Sequence, residues 1–304
     1  MSDVPGGLLE ALNTEIPDAA AAGMRLPMAW LDTLWLQVTG TVCNIACRHC
    51  FISCGPKVKK HDLMTLEQCR EALDAAKAEG VRSIWFTGGE PFLHPEILTL
   101  MDMALEVGPL GVLTNGMLID DALAAEIGNR FRDAEYNLEI RVSLDGCTAE
   151  QNDRIRGRGV FAAATQGLAN LAKHGVPALV AVSLVDDGAM DQALLVDLLK
   201  ELGLERPRIK WIPPFRIGRE ENRGRGYEAW EMLSEDDIAH PETARRIQCG
   251  TSRTVTNNGV WPCPILINEP AYRLSDRLEG GLGPHRVDHK ACYTCYAEGF
   301  SCAT

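Results

Sequence analysis

The sequence predicts an α/β protein: a partial (β/α)6 barrel followed by a small cysteine-rich domain. Three observations point there. Six short apolar segments alternate with segments of helical periodicity, the pattern of a parallel sheet with crossover helices. Polar and glycine-rich motifs fall just after those apolar segments, at the ends where barrel chemistry is placed. The composition changes late in the chain, where five cysteines occur from Gln248 onward.

The strands are expected at 33–39, 82–86, 110–114, 137–144, 178–185 and 208–212. Between the first two, Thr65-Leu66-Glu67-Gln68 reads as a capping box that opens a helix running to Gly80. Phe161–His174 and Asp191–Leu202 repeat that periodicity, with Gly175 and Gly203 as stops. Pro213-Pro214 closes the barrel pattern. The expected organisation is an N-terminal extension over 1–30, a barrel over 31–214, a charged connector over 215–247 and a cysteine domain over 248–304. The connector, with Arg216, Arg219, Glu220, Glu221 and Arg223, reads as a solvated run whose acidic tail forms part of a lid over the barrel mouth.

Composition narrows the function classes. A chain of 304 residues, 46% hydrophobic and 24% charged, is sized for one large domain and an appendage. No apolar run is long enough for a membrane span, and the N-terminus lacks the features of a signal peptide. Eleven cysteines in such a chain argue for metal or redox use in a reducing compartment, read as the cytoplasm. The net charge of −12 disfavours nucleic acid as a partner and is compatible with a small cationic substrate.

Cys43, Cys47 and Cys50 follow the first strand in C-x3-C-x2-C spacing. Three thiolates can hold three irons of a [4Fe-4S] cube and leave the fourth open, whereas a zinc knuckle is the structural alternative for a cysteine-rich loop. Ile84-Trp85-Phe86-Thr87-Gly88-Gly89-Glu90-Pro91 comes next, an apolar strand ending in two glycines and a carboxylate. Together these motifs resemble the radical S-adenosylmethionine (SAM) enzymes. The resemblance implies that the open iron chelates SAM, that the reduced cluster cleaves it to a 5′-deoxyadenosyl radical, and that a flavodoxin- or ferredoxin-type protein supplies the electron. It also implies SAM-binding roles for Gly88, Gly89 and Glu90 at the amino group and for Ser143 near the ribose and carboxylate. His49 takes the position that packs near adenine. Asp153-Arg154-Ile155-Arg156-Gly157 resembles a family pattern in which Arg156 pairs with the SAM carboxylate, with Arg154 and Arg158 as rivals.

Cys249, Cys263, Cys292, Cys295 and Cys302 resemble the SPASM and Twitch domains that hold auxiliary clusters in this family. The gap from Gly259 to Cys263 is one residue short of the usual pattern and that from Cys295 to Cys302 one residue long. One further [4Fe-4S] cluster needs four thiolates and five are present. The favoured ligands are Cys263, Cys292, Cys295 and Cys302, leaving Cys249 as a hydrogen donor, with Cys147 its rival. The alternative set contains Cys249 and frees Cys302. Cys54 and Cys69 read as small hydrophobes. A spare thiol before a single auxiliary domain resembles the neomycin-type aminoglycoside epimerases. The likeness implies inversion of a sugar carbon by hydrogen abstraction and return from Cys249. Two alternatives remain: a dehydrogenase of a sugar alcohol and a peptide-modifying enzyme.

Overall fold

The computed structural model describes residues 24–185, 190–240 and 243–299. The six expected strands are present as β2 (Thr33–Gln37), β3 (Ser83–Thr87), β4 (Leu110–Thr114), β5 (Leu138–Ser143), β6 (Leu179–Ser183) and β7 (Arg208–Ile212). They follow a short β1 (Arg25–Leu26) and are all parallel, each beside its predecessor. Helices α1 (Leu66–Ala78), α2 (Ile97–Leu105), α3 (Asp121–Asp133), α4 (Ala149–Arg156), α5 (Val160–Lys173) and α6 (Gln192–Glu201) form the crossovers. The capping box is in place: Thr65 Oγ1 accepts from the Gln68 amide and Gln68 returns an acceptor to the Thr65 amide.

Alternation along the strands decides which face meets which layer. Leu34, Leu36, Ile84, Phe86, Leu110, Val112, Ile140 and Val142 are buried in one core with the helical Leu73, Leu100, Ile127 and Leu168. The other face, the inner wall of the partial barrel, carries larger and more polar groups. Trp35 and Trp85 sit in register on β2 and β3 and stack at 5.5 Å. The Arg141 guanidinium lies 4.0 Å from the Trp85 ring centre. Gly111 leaves room for this stack, since a Cβ there would come within 2.2 Å of the Trp85 ring.

Two boundaries differ from expectation. The strand β8 (Ser252–Thr256) pairs parallel to β2 and brings an antiparallel β9 (Gly259–Trp261), so the sheet runs β7-β6-β5-β4-β3-β2-β8-β9. The cysteine domain is therefore built onto the free edge of the barrel. At the other end, β1 pairs with β10 (His285–Arg286), so the residues expected as a loose extension contribute a strand to the C-terminal lobe. Leu26, Phe215, Ile217, Ile247, Ile265, Leu266 and Val287 form the core of that lobe.

The connector is also more folded than its charge suggests. It contains α7 (Arg219–Arg223), α8 (Glu235–Ala239) and α9 (Thr243–Arg246), ahead of the final helix α10 (Cys292–Glu298). Glu220 is buried and paired with Arg223, and Glu231 is buried between Arg216 and Arg225. Burial of charge is tolerable here because each carboxylate has a guanidinium partner. No helix among the described residues is long and apolar enough to cross a membrane.

Candidate functional site

The three N-terminal cysteines lie on the loop that leaves β2. Gln37 Nε2 donates to the Gly40 carbonyl, and the Thr41 hydroxyl accepts from the amides of Lys60 and His61, which folds the loop back on itself. The Cys50 amide donates to the Cys47 carbonyl, and the Cys54 amide donates to Cys50 Sγ at 3.3 Å. Burial pushes the Cys43 thiol up to about 12 and raises Cys47 as well. Cys50 is pulled down to about 6, chiefly by the hydrogen bond from the Cys54 thiol. Charge on Cys47 or Cys50 raises Cys43 further, and charge on Cys50 raises Cys47, as expected for thiols facing one small volume. Among the described residues no three His, Cys, Asp or Glu side chains group as around one metal ion. A cube takes each thiolate on a separate iron, so this donor set suits an iron–sulfur cluster, with Cys43, Cys47 and Cys50 as the residues that would hold it.

The end of β3 is pressed against this loop. Gly88 has φ +144°, and a Cβ there would meet Thr39 Oγ1 at 2.2 Å. A Cβ on Gly89 would meet the Val42 carbonyl oxygen at 2.1 Å. Only glycines permit that approach. Glu90 is fully buried and braces the junction: its amide donates to the Val42 carbonyl, and its carboxylate accepts from the Phe92 amide, the Thr114 hydroxyl at 2.7 Å and the Asn115 amide at 2.7 Å. Asn115 continues the network by donating to Asn44 Oδ1 at 2.7 Å. Burial pushes the Glu90 carboxyl up to about 7, against the opposing pull of its donors. Glu90 thus ties together the loops after β2, β3 and β4, and one of its lone-pair positions is left for a further donor.

Arg156 ends α4 and is almost wholly buried, with Nε 2.7 Å from Asp145 Oδ2. His49 Nε2 is 3.2 Å from the same oxygen, and the Asp145 side chain has no exposed surface. The other Asp145 oxygen accepts from the Ser183 amide at the end of β6. Although burial opposes it, Arg156 and then His49 hold the Asp145 carboxyl below its ordinary value. Burial pushes the His49 imidazole down to about 4, so it is neutral near pH 7. Ser143 ends β5, half-buried, two residues before Asp145. Arg154, on the same helix, and Arg158, just beyond it, are both exposed. The Ser143-Leu144-Asp145-Gly146 turn was visible in the sequence, but nothing there marked Asp145 as the partner of both Arg156 and His49.

In the C-terminal lobe, Cys249 and Cys292 are buried in one small core, with Cys263 and Cys295 packed against it. Burial raises Cys249 well above the usual thiol range, and the neighbouring Cys263 and Cys292 raise it further. Cys263 is likewise pushed up to about 11 by burial. Arg253 is buried beside them and donates to the carbonyls of Cys249 at 2.7 Å, Gly281 at 2.6 Å and Gly283 at 2.8 Å. Cys302 lies outside the described residues. Cys147 stands apart from this group, its Sγ 3.3 Å from Met190 Sδ and 3.4 Å from the Asp191 carbonyl. Cys69 is buried on α1, as expected of a small hydrophobe, and Cys54 is buried beside the cluster loop.

A parallel α/β sheet with three thiols after its leading strand, a Gly-Gly-Glu brace and a buried Arg–Asp–His group defines a class of protein. The chain belongs to the radical SAM superfamily, whose model matches residues 38–206. It is similar to the mycofactocin maturase MftC of Mycobacterium ulcerans, with 34% identity over 211 residues covering 67% of this chain and 50% of MftC. It is also similar to the antilisterial bacteriocin subtilosin biosynthesis protein AlbA of Bacillus subtilis, with 27% identity over 180 residues covering 59% of this chain and 39% of AlbA. The matched part of this chain spans half or less of these curated relatives' length. In three dimensions the fold resembles Streptococcus suis SuiB bound to precursor peptide SuiA, with TM-score 0.63, 16% identity, and coverage of 83% of this chain and 65% of SuiB.

Proposed function

We propose that this chain is a radical SAM enzyme that modifies a peptide, with an auxiliary [4Fe-4S] cluster held by Cys249, Cys263, Cys292 and Cys295. The observation that carries the reading is the similarity to a maturase over two thirds of the chain. The SuiB structure, seen with a precursor peptide, supports a peptide as the class of substrate within this fold. The packing of Cys249 among the other lobe thiols supports it from a second side, because an epimerase of the expected kind needs that thiol free to return hydrogen. The aminoglycoside epimerase and its small cationic substrate therefore give way to the peptide reading.

Cys43, Cys47 and Cys50 would hold the first cluster, which when bound would supply the electron for reductive cleavage of SAM. The chain's own residues prepare the place. Gly88 and Gly89 bring backbone polar groups against the cluster loop. Glu90 fixes three loops in one arrangement and keeps one acceptor position for an ammonium donor. Arg156 is held by Asp145 through Nε, so its outer nitrogens are the ones that would meet a carboxylate. His49, neutral and with one-tenth of its side chain still exposed, offers a flat ring against which an adenine can pack. A flavodoxin- or ferredoxin-type protein is the proposed electron donor.

The test is to incubate the reduced, anaerobically reconstituted protein with SAM and short peptides encoded beside its gene. Deoxyadenosine release with a mass change in one peptide is the expected result. Deoxyadenosine formed only with an aminoglycoside such as neomycin C, with deuterium from heavy water at an inverted carbon, would return the epimerase.

A further inference from the structure

The run from Phe215 to Arg223, with the sequence character of a solvated connector, is fastened to the loop that carries Cys47 and Cys50. Phe215 packs on Phe51, ring centres 5.5 Å apart. Gly218 has φ +61°, and a Cβ there would come within 2.1 Å of the Phe51 carbonyl oxygen, so the two backbones touch. Arg219 then makes three bonds into the loop. Its amide donates to the Cys50 carbonyl at 3.1 Å, Nε to the Cys47 carbonyl at 2.7 Å and Nη2 to the Cys54 carbonyl at 2.5 Å. Two diverging donors of one rigid guanidinium thus span the turn from Cys47 to Cys54, which an ammonium cannot do.

The same short helix reaches two other places. Lys290, two residues before Cys292, pairs with Glu221 at 2.5 Å. Arg223, paired with the buried Glu220 at 2.7 Å, also donates to the Val185 carbonyl beyond β6. Arg219 lies beyond the matched family segment of 38–206.

We propose that Arg219 is a positioning residue for the first cluster. It holds the turn bearing Cys47 and Cys50 in its ligating shape and sets a fixed positive charge beside those sulfurs. Through α7 it links that turn to the lobe of the auxiliary thiols. A cation near a cluster favours the reduced, more negative state, and hydrogen-bonded ligand loops resist loss of iron. This rests on the reading of Cys43, Cys47 and Cys50 as cluster ligands.

The experiment compares the reconstituted full chain with Arg219→Gln and Arg219→Lys. Two readouts are taken for each: the midpoint potential of the paramagnetic signal that SAM perturbs, and the rate at which a ferrous chelator removes iron. In Arg219→Gln the SAM-responsive signal is expected at a more negative potential, and its iron is lost several-fold faster, while the auxiliary signal keeps its potential. Arg219→Lys keeps the charge, so its potential is expected near that of the parent, with iron loss still faster than the parent. Parent values for both readouts in Arg219→Gln would overturn the proposal, and so would equal shifts of both clusters. A parent protein with no SAM-responsive signal would instead remove the cluster reading itself, before any variant is made.

Discussion

Arg156 and Asp145 face each other at 2.7 Å with almost no surface left to either, and His49 shares the same carboxylate oxygen. An ion pair removed from water this completely is costly to break from one side, because the remaining charge stays buried.

Arg156→Ala is therefore expected to lower the stability of the apo-protein by about 3–5 kcal/mol, the usual cost of stranding one member of a buried pair. Urea denaturation measures it. Asp145→Asn combined with Arg156→Gln should cost less than the two single changes added together, because neither residue is then left charged. Additive losses would mean that the pair is not coupled.

Glu90 gives a pH dependence whose sign can be stated. Its carboxyl is raised in the folded protein from 4.5 to about 7, mainly by burial. A raised acid contributes stability that is complete below the unfolded value and is lost as pH rises through the folded one. The apo-protein should thus lose stability from this group between about pH 4.5 and pH 7. Glu90→Gln removes that dependence but presents an NH2 to groups that donate, so it should cost about 1–3 kcal/mol at the acidic end of the window. Denaturation curves at several pH values, parent against variant, decide the point. Parallel pH profiles would refute the assignment.

Iron content tests the two thiol sets separately. Two clusters correspond to about eight irons per chain. Replacing Cys43, Cys47 and Cys50 with Ala should leave about four and abolish SAM cleavage. Cys249→Ala should also lose about four, this time those of the auxiliary site. If Cys249→Ala keeps all its iron, Cys302 is the better fourth ligand and Cys249 is again available as a donor.

The tryptophan stack under the barrel mouth depends on a missing side chain. Gly111→Ala places a methyl group where the Trp85 ring already is. Overpacking of this kind costs about 1–3 kcal/mol. A thermal melt reads it, and Trp85→Leu in the same chain should recover part of the loss. An unchanged melting temperature in Gly111→Ala would show that the stack moves aside freely.

The barrel was legible because each strand is a short apolar run that ends in polar or glycine residues. β4 and β7 fall on the expected boundaries, and the others differ by no more than two residues at an end. Cys43, Cys47, Cys50, Gly88, Gly89 and Glu90 could be singled out as candidates for the same reason, since they follow strand ends. What could not be seen was long-range partnership. Asp145 is an ordinary turn residue until α4 returns Arg156 to it. Arg219 has the look of one more surface charge, and only the fold shows its guanidinium laid across the turn from Cys47 to Cys54. Cys249 offered no spacing that separated ligand from donor; its place beside Cys263 and Cys292 depends on how the lobe closes.

The pairing of β8 with β2 has a consequence for synthesis on the ribosome. The strand that leads into the first cluster loop emerges early, whereas the strand that covers its outer edge is translated long after the rest of the barrel. Until then β2 offers an uncovered row of amides and carbonyls, the kind of edge that recruits other chains. Its partner also comes from far along the sequence, which slows closure. Nascent chains should thus pass through a stage vulnerable to aggregation that ends only when Ser252–Thr256 arrives, and iron loading before that moment would proceed on a half-open scaffold.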